Sequence, residues 1–264
     1  MEACRRALAA PRYFVVNGEA GAPGLLTDCH LMEGDPQRVL EGLLIAAYAA
    51  GTNQGIIYMN GTARFAFDRM ARALAKAQAA HLIGDGILGS AFSFHVEIRR
   101  GPRGFVRGEE RALLTSIEGQ RASPGTKPQL PPESRLWGKP TVISNVETLA
   151  AIPPVFAWNS SGRAGQSWSA TRIFAVSGPV NRPGIVEVES HVTLRELLFE
   201  IAAGLRDGRS LKGVVVGPSG TVLPPESLDA SLKTLNVFAA GTRGVIPIPD
   251  DDYVGMLRAT VKRR

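Results

Sequence analysis

The sequence predicts an α/β protein whose first part holds a mostly parallel sheet with helices, followed by a second, smaller unit. Short apolar runs alternate with segments of helical period over about the first hundred residues, and this order favours parallel strands joined by helices. Beyond residue 172 the pattern changes to a hairpin followed by a helix. The 264 residues, 44% of them hydrophobic, can bury one large core or two smaller ones.

The first part contains three predicted strands and two long predicted helices. The strands are expected at 13–16, 55–60 and 92–98, and the helices at 35–51 and 66–80. The first strand is expected to run into a tight turn at Asn17-Gly18. Asp35-Pro36 begins the first helix, and Gly51 ends it. The alternation strand, helix, strand, helix, strand therefore predicts a layered α/β unit.

The middle of the chain marks a change of organisation. Prolines and glycines between Ala122 and Pro140 predict a long loop or a linker. A helix is expected from Asn145 to about Ile152, and Pro153-Pro154 with the Ser/Gly-rich stretch 159–169 predicts a domain boundary.

The last third predicts a hairpin, a helix and a further strand. The hairpin strands are expected at 173–178 and 185–188, and the further strand at 212–216. Thr193 followed by Glu196 predicts a capping box that begins the helix.

Composition excludes several classes of protein. The formal charge of +6 comes from scattered basic residues without interleaved aromatic side chains, so we expect no nucleic-acid partner. Cys4 and Cys29 are too few for a cysteine-ligated tetranuclear iron–sulfur cluster or a zinc ribbon, and the four histidines show no metal-ligand spacing. No signal peptide and no apolar run of roughly 18 residues is present, so we expect a cytoplasmic protein without direct membrane insertion.

The glycine-rich segment 101–110 is the strongest candidate for a functional site. It surrounds one aromatic residue, Phe105, with glycines and ends in Gly108-Glu109-Glu110 before an apolar helix. Glycine lets the backbone approach a flat ligand because no Cβ atom intervenes. Paired carboxylates at a helix start also interact favourably with free N–H groups and the helix dipole. These residues alone leave both explanations open.

Two further motifs follow this segment, Leu136-Trp137-Gly138-Lys139-Pro140-Thr141 and Ser144-Asn145-Val146-Glu147-Thr148-Leu149. Together the three resemble the flavin-binding core of the NADH-oxidising flavoprotein subunit of respiratory complex I, which NAD-linked hydrogenases and formate dehydrogenases share. The resemblance implies an FMN- and NADH-binding α/β domain over 1–158, a small β-grasp (ubiquitin-like) domain over 170–240 and a C-terminal tail over 241–264. It covers only the middle of the family's subunit, so we expect the first glycine-rich loop and the iron–sulfur cluster domain to be absent.

The resemblance also implies a set of site residues. The residues expected to contact FMN are Asn17, Glu19, Phe105, Gly108, Glu109, Ser144 and Asn145. Glu110 is expected to be the catalytic residue and, with Lys127, to face the dinucleotide. Alternatives remain open for three of them: a turn residue at Asn17, a solvent-exposed lysine at Lys127 and an ordinary helix cap at Asn145.

This chain departs from the family's pattern at three of the positions that surround these residues. Ala20 and Ala22 stand where the family carries acids, and Leu130 replaces an aromatic residue.

The function that the resemblance implies is hydride transfer from NADH to FMN, with onward electron transfer to an iron–sulfur or quinone-reducing partner. Because this chain is expected to carry no iron–sulfur cluster of its own, the expected partners are iron–sulfur electron-transfer subunits of a larger complex. The alternative is a truncated or degenerate, non-catalytic structural subunit that retains the fold.

Overall fold

The computed structural model describes residues 1–7, 9–19, 27–101, 110–120, 135–158, 171–189, 191–217, 220–235 and 243–251. Contacts divide the chain into two compact units. Apart from Thr27, the described residues up to Trp158 belong to the first unit, and those from Thr171 belong to the second.

The first unit is a four-stranded parallel sheet with helices. Its strands are β1 Tyr13–Gly18, β2 Gln54–Met59, β3 His95–Arg100 and β4 Thr141–Asn145. Its helices are α1 Glu2–Arg6, α2 Thr27–Gly34, α3 Pro36–Ala50, α4 Arg64–Ala79, α5 Glu110–Ile117, α6 Val146–Ala150 and α7 Ile152–Trp158. The strand order is β3-β2-β1-β4, and every pair is parallel, which confirms the predicted parallel α/β sheet.

Different helices cover the two faces of this sheet. Side chains alternate between faces along a strand, so neighbouring residues of β1 enter different cores. Phe14 and Val16 pack in the larger core with apolar residues of α3, α4 and α6. Val15 packs on the other face in a smaller core with Leu113 and Ile117 of α5. The apolar runs of β1 and β2 therefore reflect burial on both faces.

The local signals at helix ends act as predicted. Asp35 caps α3 by accepting a hydrogen bond from the Arg38 N–H at 3.1 Å, and Pro36 occupies the first turn. Gly51 ends this helix with φ 66°, a left-handed conformation that glycine adopts without strain. These ends position α3 so that Val39 and Leu43 face the core.

The structure corrects three local expectations for the first unit. Asn17 and Gly18 continue β1 rather than forming the predicted tight turn. Thr141–Asn145 is a strand that the sequence analysis does not predict, although its β-branched residues favour a strand. Ile152–Trp158 is a helix, so the pair Pro153-Pro154 does not mark the boundary: proline is tolerated in a helix's first turn, where N–H groups lack partners.

The second unit is a five-stranded mixed sheet with a π-helical segment, and its described residues also form two short 3-10 turns, Arg206–Gly208 and Pro225–Ser227. Its strands are β5 Thr171–Val176, β6 Gly184–Glu189, β7 Leu211–Val216, β8 Thr221–Leu223 and β9 Gly244–Pro249, in the order β6-β5-β9-β7-β8. The predicted hairpin is the antiparallel pair β5–β6. Thr193 and Glu196 form the predicted capping box before the π-helical segment Glu196–Ile201, with the Thr193 N–H donating to Oε2 at 2.7 Å.

Strand β9 differs from the expected division of the chain. The sequence analysis places 241–264 in a C-terminal tail, whereas Gly244–Pro249 lies between β5 and β7 in the sheet. Val245 is fully buried in the core of this unit. The second sheet thus extends beyond the predicted limit at residue 240.

Within the described part of the chain, the helices are too short or too polar to cross a lipid bilayer.

Candidate functional site

The carboxyl ends of β1 and β4 meet where the order of the sheet reverses. From β1 the chain proceeds outward to β2 and β3 and then returns to the other side of β1 as β4. In open α/β sheets, ligands bind outside the carboxyl ends of the strands at such a switch point. Asn17 of β1 and Asn145 of β4 lie there as direct register partners. The structure therefore brings these two predicted site residues together.

One row of polar residues crosses the sheet at this edge. In register across the four strands it contains Arg99, Tyr58, Asn17 and Asn145. The row faces the same side as Val15, the side covered by α5.

The predicted residue Ser144 lies on the opposite face of β4. It pairs in register with Val16, whose side chain belongs to the core on the α3 side. Ser144 and Asn145 are therefore neighbours in sequence whose side chains leave the sheet in opposite directions.

Each asparagine of the pair uses its side-chain oxygen in a local hydrogen bond. The Oδ1 atom of Asn17 accepts from the Glu19 N–H at 3.1 Å. The Oδ1 atom of Asn145 accepts from the Thr148 N–H at 2.8 Å and caps α6. Asn145 therefore has the helix-capping role that the sequence analysis gives as its alternative. The Nδ2 group of each asparagine can donate to a ligand.

Glu19 is a buried carboxyl group at the same edge. Its residue is 8% exposed, and its Oε1 atom accepts a hydrogen bond from Nδ2 of Asn60 at 2.8 Å. Its Oε2 atom is buried and has no hydrogen-bond partner among the described residues. Burial raises the pKa of this carboxyl group from 4.5 to about 7, and the hydrogen bond from Asn60 opposes that rise.

The sequence analysis did not identify Asn60. It directly follows β2, as Asn17 lies near the end of β1, and polar residues at the carboxyl ends of neighbouring parallel strands meet at one edge. The position of Asn60 directly after a predicted strand is therefore a sequence signal that could have identified it.

Glu110 begins α5, the helix that covers the face shared by Asn17 and Asn145. Its Oε2 atom lies 3.2 Å from a guanidinium nitrogen of Arg135. The side chain of Glu110 is 43% exposed and that of Arg135 is 15% exposed. The acid expected to face the dinucleotide thus forms a partly exposed ion pair at the start of this helix.

Four predicted site residues lie outside the described residues: Phe105, Gly108, Glu109 and Lys127.

The first glycine of the glycine-rich segment is explained by a protein contact. A Cβ atom on Gly101 would lie 2.6 Å from the hydroxyl oxygen of Tyr58, closer than side chains pack. That hydroxyl forms a 2.6 Å hydrogen bond with Ser116 of α5. At Gly101, therefore, the missing side chain makes room for Tyr58, whose pKa burial raises.

No group of three or more metal-ligating side chains occurs among the residues that the structure describes. Two of the histidines lie beside acids instead, His95 at 3.2 Å from Asp85 and His191 at 3.1 Å from Glu189. The described polar groups at the edge of the sheet are amide donors and a carboxyl group, which suit a polar organic ligand with hydrogen-bond acceptors.

Comparison with known proteins identifies the family of the chain. Residues 3–154 match the model of the Nuo51 FMN-binding domain. The chain is 36% identical over 249 residues to the NADP-reducing hydrogenase subunit HndC of Solidesulfovibrio fructosivorans, an alignment that covers 91% of this chain and 51% of that protein. It is 38% identical over 253 residues to an NADH-quinone oxidoreductase subunit of Rhizobium meliloti (strain 1021), with 93% and 60% covered.

A solved structure extends the likeness to the fold. The crystal structure of an NAD+-reducing NiFe-hydrogenase in the H2-reduced state superposes with a TM-score of 0.81 at 28% identity, over 98% of this chain and 44% of that one. This chain spans 51% and 60% of the two curated relatives. The family model matches more than half of the chain, including both strands that carry the asparagine pair. The chain belongs to the Nuo51 FMN-binding domain family.

Proposed function

We propose that the first unit binds FMN at the switch point of its sheet and oxidises NADH as part of a larger flavoprotein. The observation that carries this proposal is the register pair Asn17–Asn145, which places two amide donors side by side at the carboxyl edge. Family membership supports FMN as the ligand, and the names of the relatives support a nicotinamide nucleotide as the electron donor.

The residues at this edge fit a flavin mononucleotide. FMN carries carbonyl, hydroxyl and phosphate oxygens, which accept hydrogen bonds, and the Nδ2 groups of Asn17 and Asn145 can donate them. Glu19 adds a buried oxygen without a protein partner among the described residues. From the motif we further assign Phe105, Gly108 and Glu109 to the flavin.

Ser144 is the member of the expected set that departs from this row, because it faces the α3 side of the sheet. We propose Glu110 and Lys127 as the residues that face the dinucleotide.

When bound, FMN supplies the chemistry that accepts a hydride from NADH and passes the electrons on one at a time. The protein binds and orients the two nucleotides. The asparagine pair fixes the cofactor against the sheet edge, and α5 covers the face of the sheet that this pair shares. The ion pair with Arg135 holds the Glu110 carboxylate at the start of that helix.

The electron acceptor is proposed to be an iron–sulfur or quinone-reducing subunit of a larger cytoplasmic complex. The relatives are subunits of a hydrogenase and of an NADH-quinone oxidoreductase.

We propose that the second unit is a β-grasp domain. Its hairpin, its helical segment and the central strand β9, parallel to β5, support that assignment. We place its beginning at residue 170, after an FMN domain over 1–158; the two compact units divide nearby, between Gln166 and Ser167.

An FMN titration followed by quenching of flavin fluorescence tests the proposal. We expect one FMN per chain and a bound flavin that NADH bleaches under anaerobic conditions. Asn17→Asp keeps the oxygen that accepts the Glu19 N–H but removes the amide donor, so we expect about tenfold weaker FMN binding.

Asn53→Asp is the matched control. The Oδ1 atom of Asn53 also accepts a backbone N–H, that of Arg12 at 2.9 Å, but this residue precedes β2 at the opposite edge of the sheet. FMN affinity should not change in this variant. Equal losses in both variants would contradict the site. Flavin binding without reduction by NADH would favour the non-catalytic structural subunit, for which Ala20 and Ala22 are the sequence argument.

A further inference from the structure

Glu19, whose buried oxygen the proposed function assigns to the FMN edge, combines three features that bear on its protonation state. It is 8% exposed, one of its oxygens accepts from Asn60, and the other oxygen is buried without a partner among the described residues. A buried polar atom without a partner destabilises the folded protein by about 1–3 kcal/mol, so such an atom at a ligand-binding edge is more readily explained by a ligand than by packing.

The surroundings of Glu19 favour its neutral form. Its electrostatic neighbours are Cys29 of α2 and Tyr58 of β2, and Asp28 and Glu33 of α2 act on Cys29. Each of these groups is either neutral or acidic, and the pKa of Cys29 is itself raised to about 11 by burial and by these acids. Burial raises the pKa of Glu19 to about 7. The hydrogen bond that Asn60 donates favours the ionised form and opposes that rise.

The protonation state decides what Glu19 offers to a ligand. An ionised carboxylate has two acceptors and no donor, whereas a protonated carboxyl group has one O–H donor. FMN is rich in acceptors, and its phosphate carries a charge of about −1.5 to −2 at neutral pH. An ionised Glu19 would therefore repel this ligand, and a protonated Glu19 would donate to it.

We propose that Glu19 is a proton-linked contact of the FMN site: with FMN bound, its carboxyl group carries a proton on Oε2 and donates that O–H to an acceptor of the cofactor. The proton comes from solvent when FMN binds and returns to solvent when FMN leaves. This inference rests on the proposed FMN binding and adds that binding and protonation are coupled.

The test compares FMN affinity against pH in the wild-type chain and in Glu19→Gln. Glutamine keeps the size of the side chain and a permanent donor, so it mimics the protonated form. Ionisation of the FMN phosphate affects both proteins equally and cancels in the ratio of their Kd values. The Kd of the wild-type chain divided by that of the variant should rise about tenfold between about pH 6 and about pH 8 if only protonated Glu19 binds.

Calorimetry supplies a second readout. FMN binding to the wild-type chain near pH 8, measured in buffers with different ionisation enthalpies, should show uptake of a proton that is absent in Glu19→Gln. A second variant, Asn60→Asp, keeps the acceptor for the Thr62 N–H and replaces the donor to Glu19 with another acid. In this variant the fall in FMN affinity should move to higher pH, because the pKa of Glu19 rises.

Each outcome decides the proposal. A ratio of Kd values that does not change with pH, or equal proton uptake in both proteins, overturns the coupling while leaving FMN binding intact. A wild-type chain that binds no FMN at any pH overturns both the coupling and the proposed function. If Glu19→Gln does not fold, the shift in Asn60→Asp decides: an unchanged pH profile overturns the inference, and a shifted one supports it.

Discussion

Asn60 donates its side-chain amide to Oε1 of Glu19 at 2.8 Å and so joins the carboxyl ends of two neighbouring parallel strands. The two residues are 41 positions apart in sequence. Their contact exists only because β1 and β2 pair in parallel with Gly18 opposite Met59. The pair holds a buried acid at the edge of the sheet where the asparagine pair also lies.

The raised pKa of Glu19 predicts that the folded chain becomes less stable as the pH rises. The folded-state pKa is about 7 and the unfolded value is 4.5, so the folded chain binds more protons between these values. The loss of folding stability that the ionisation of Glu19 causes is absent below the unfolded pKa. It grows as pH rises towards about 7 and stays constant above that value. Glu19→Gln removes it, so near pH 8 this variant should be more stable than the wild-type chain by roughly 2–3 kcal/mol.

Urea unfolding of both proteins at about pH 5 and about pH 8, without FMN, measures this difference. A stability difference that is the same at both pH values would show that Glu19 titrates as an ordinary exposed acid.

Gly42 should tolerate no side chain. A Cβ atom at this position of α3 would overlap the backbone oxygen of Leu149 in α6, and backbone cannot move aside easily. Gly42→Ala should therefore lower the free energy of unfolding by about 3 kcal/mol or more, despite the better helix propensity of alanine. Gly34→Ala is the control, because a Cβ atom there has nothing within 4 Å. Comparable thermal unfolding midpoints for both variants would contradict the close packing of α3 and α6.

The capping role of Asn145 can be separated from its proposed ligand role. Asn145→Ala removes the acceptor for the Thr148 N–H and should lower stability by about 1 kcal/mol. Asn145→Asp keeps that acceptor and should restore stability, but it lacks the amide donor and should still bind FMN weakly. Chemical unfolding and FMN titration of the two variants measure the two effects. Recovery of FMN affinity in the aspartate variant would assign Asn145 to the helix cap alone.

The hydrogen bond between Tyr58 and Ser116 should couple β2 to α5. Tyr58 is 1% exposed, and its hydroxyl oxygen is 2.6 Å from that of Ser116. Ser116→Ala leaves the buried hydroxyl without this partner and should lower stability by about 1–2 kcal/mol. Tyr58→Phe should lower stability by less in the Ser116→Ala variant than it does in the wild-type chain. A double-mutant cycle measures the coupling, and additive effects would show that this hydrogen bond contributes little.

Local signals in the sequence were sufficient for most elements of the first unit. The apolar run Tyr13–Val16, the cap Asp35 and the terminating Gly51 act over a few residues, so their meaning does not depend on distant contacts. The capping box at Thr193 and Glu196 is local in the same way. The strand Thr141–Asn145 was missed because it is short and follows a proline-rich stretch that predicts a loop.

The candidate site was only partly accessible from sequence. The family motif predicted Asn17, Glu19 and Asn145 as site residues, a prediction that stays open, but it did not show that the two asparagines are direct neighbours across β1 and β4. Nor did it show that Ser144 faces the other side of the sheet. Asn60 went unnoticed because its role is a contact with a residue on another strand.

Periodicity and capping depend on neighbouring residues, so the α/β class, the ends of α3 and the capping of the second unit's helical segment could be predicted from the amino-acid sequence. The order β3-β2-β1-β4, the asparagine pair at its switch point and the burial of Glu19 emerge only when the chain is folded. Strand order and register are set by packing between segments that are far apart in the chain. The raised pKa of Glu19 is likewise a property of its burial, which no single segment encodes.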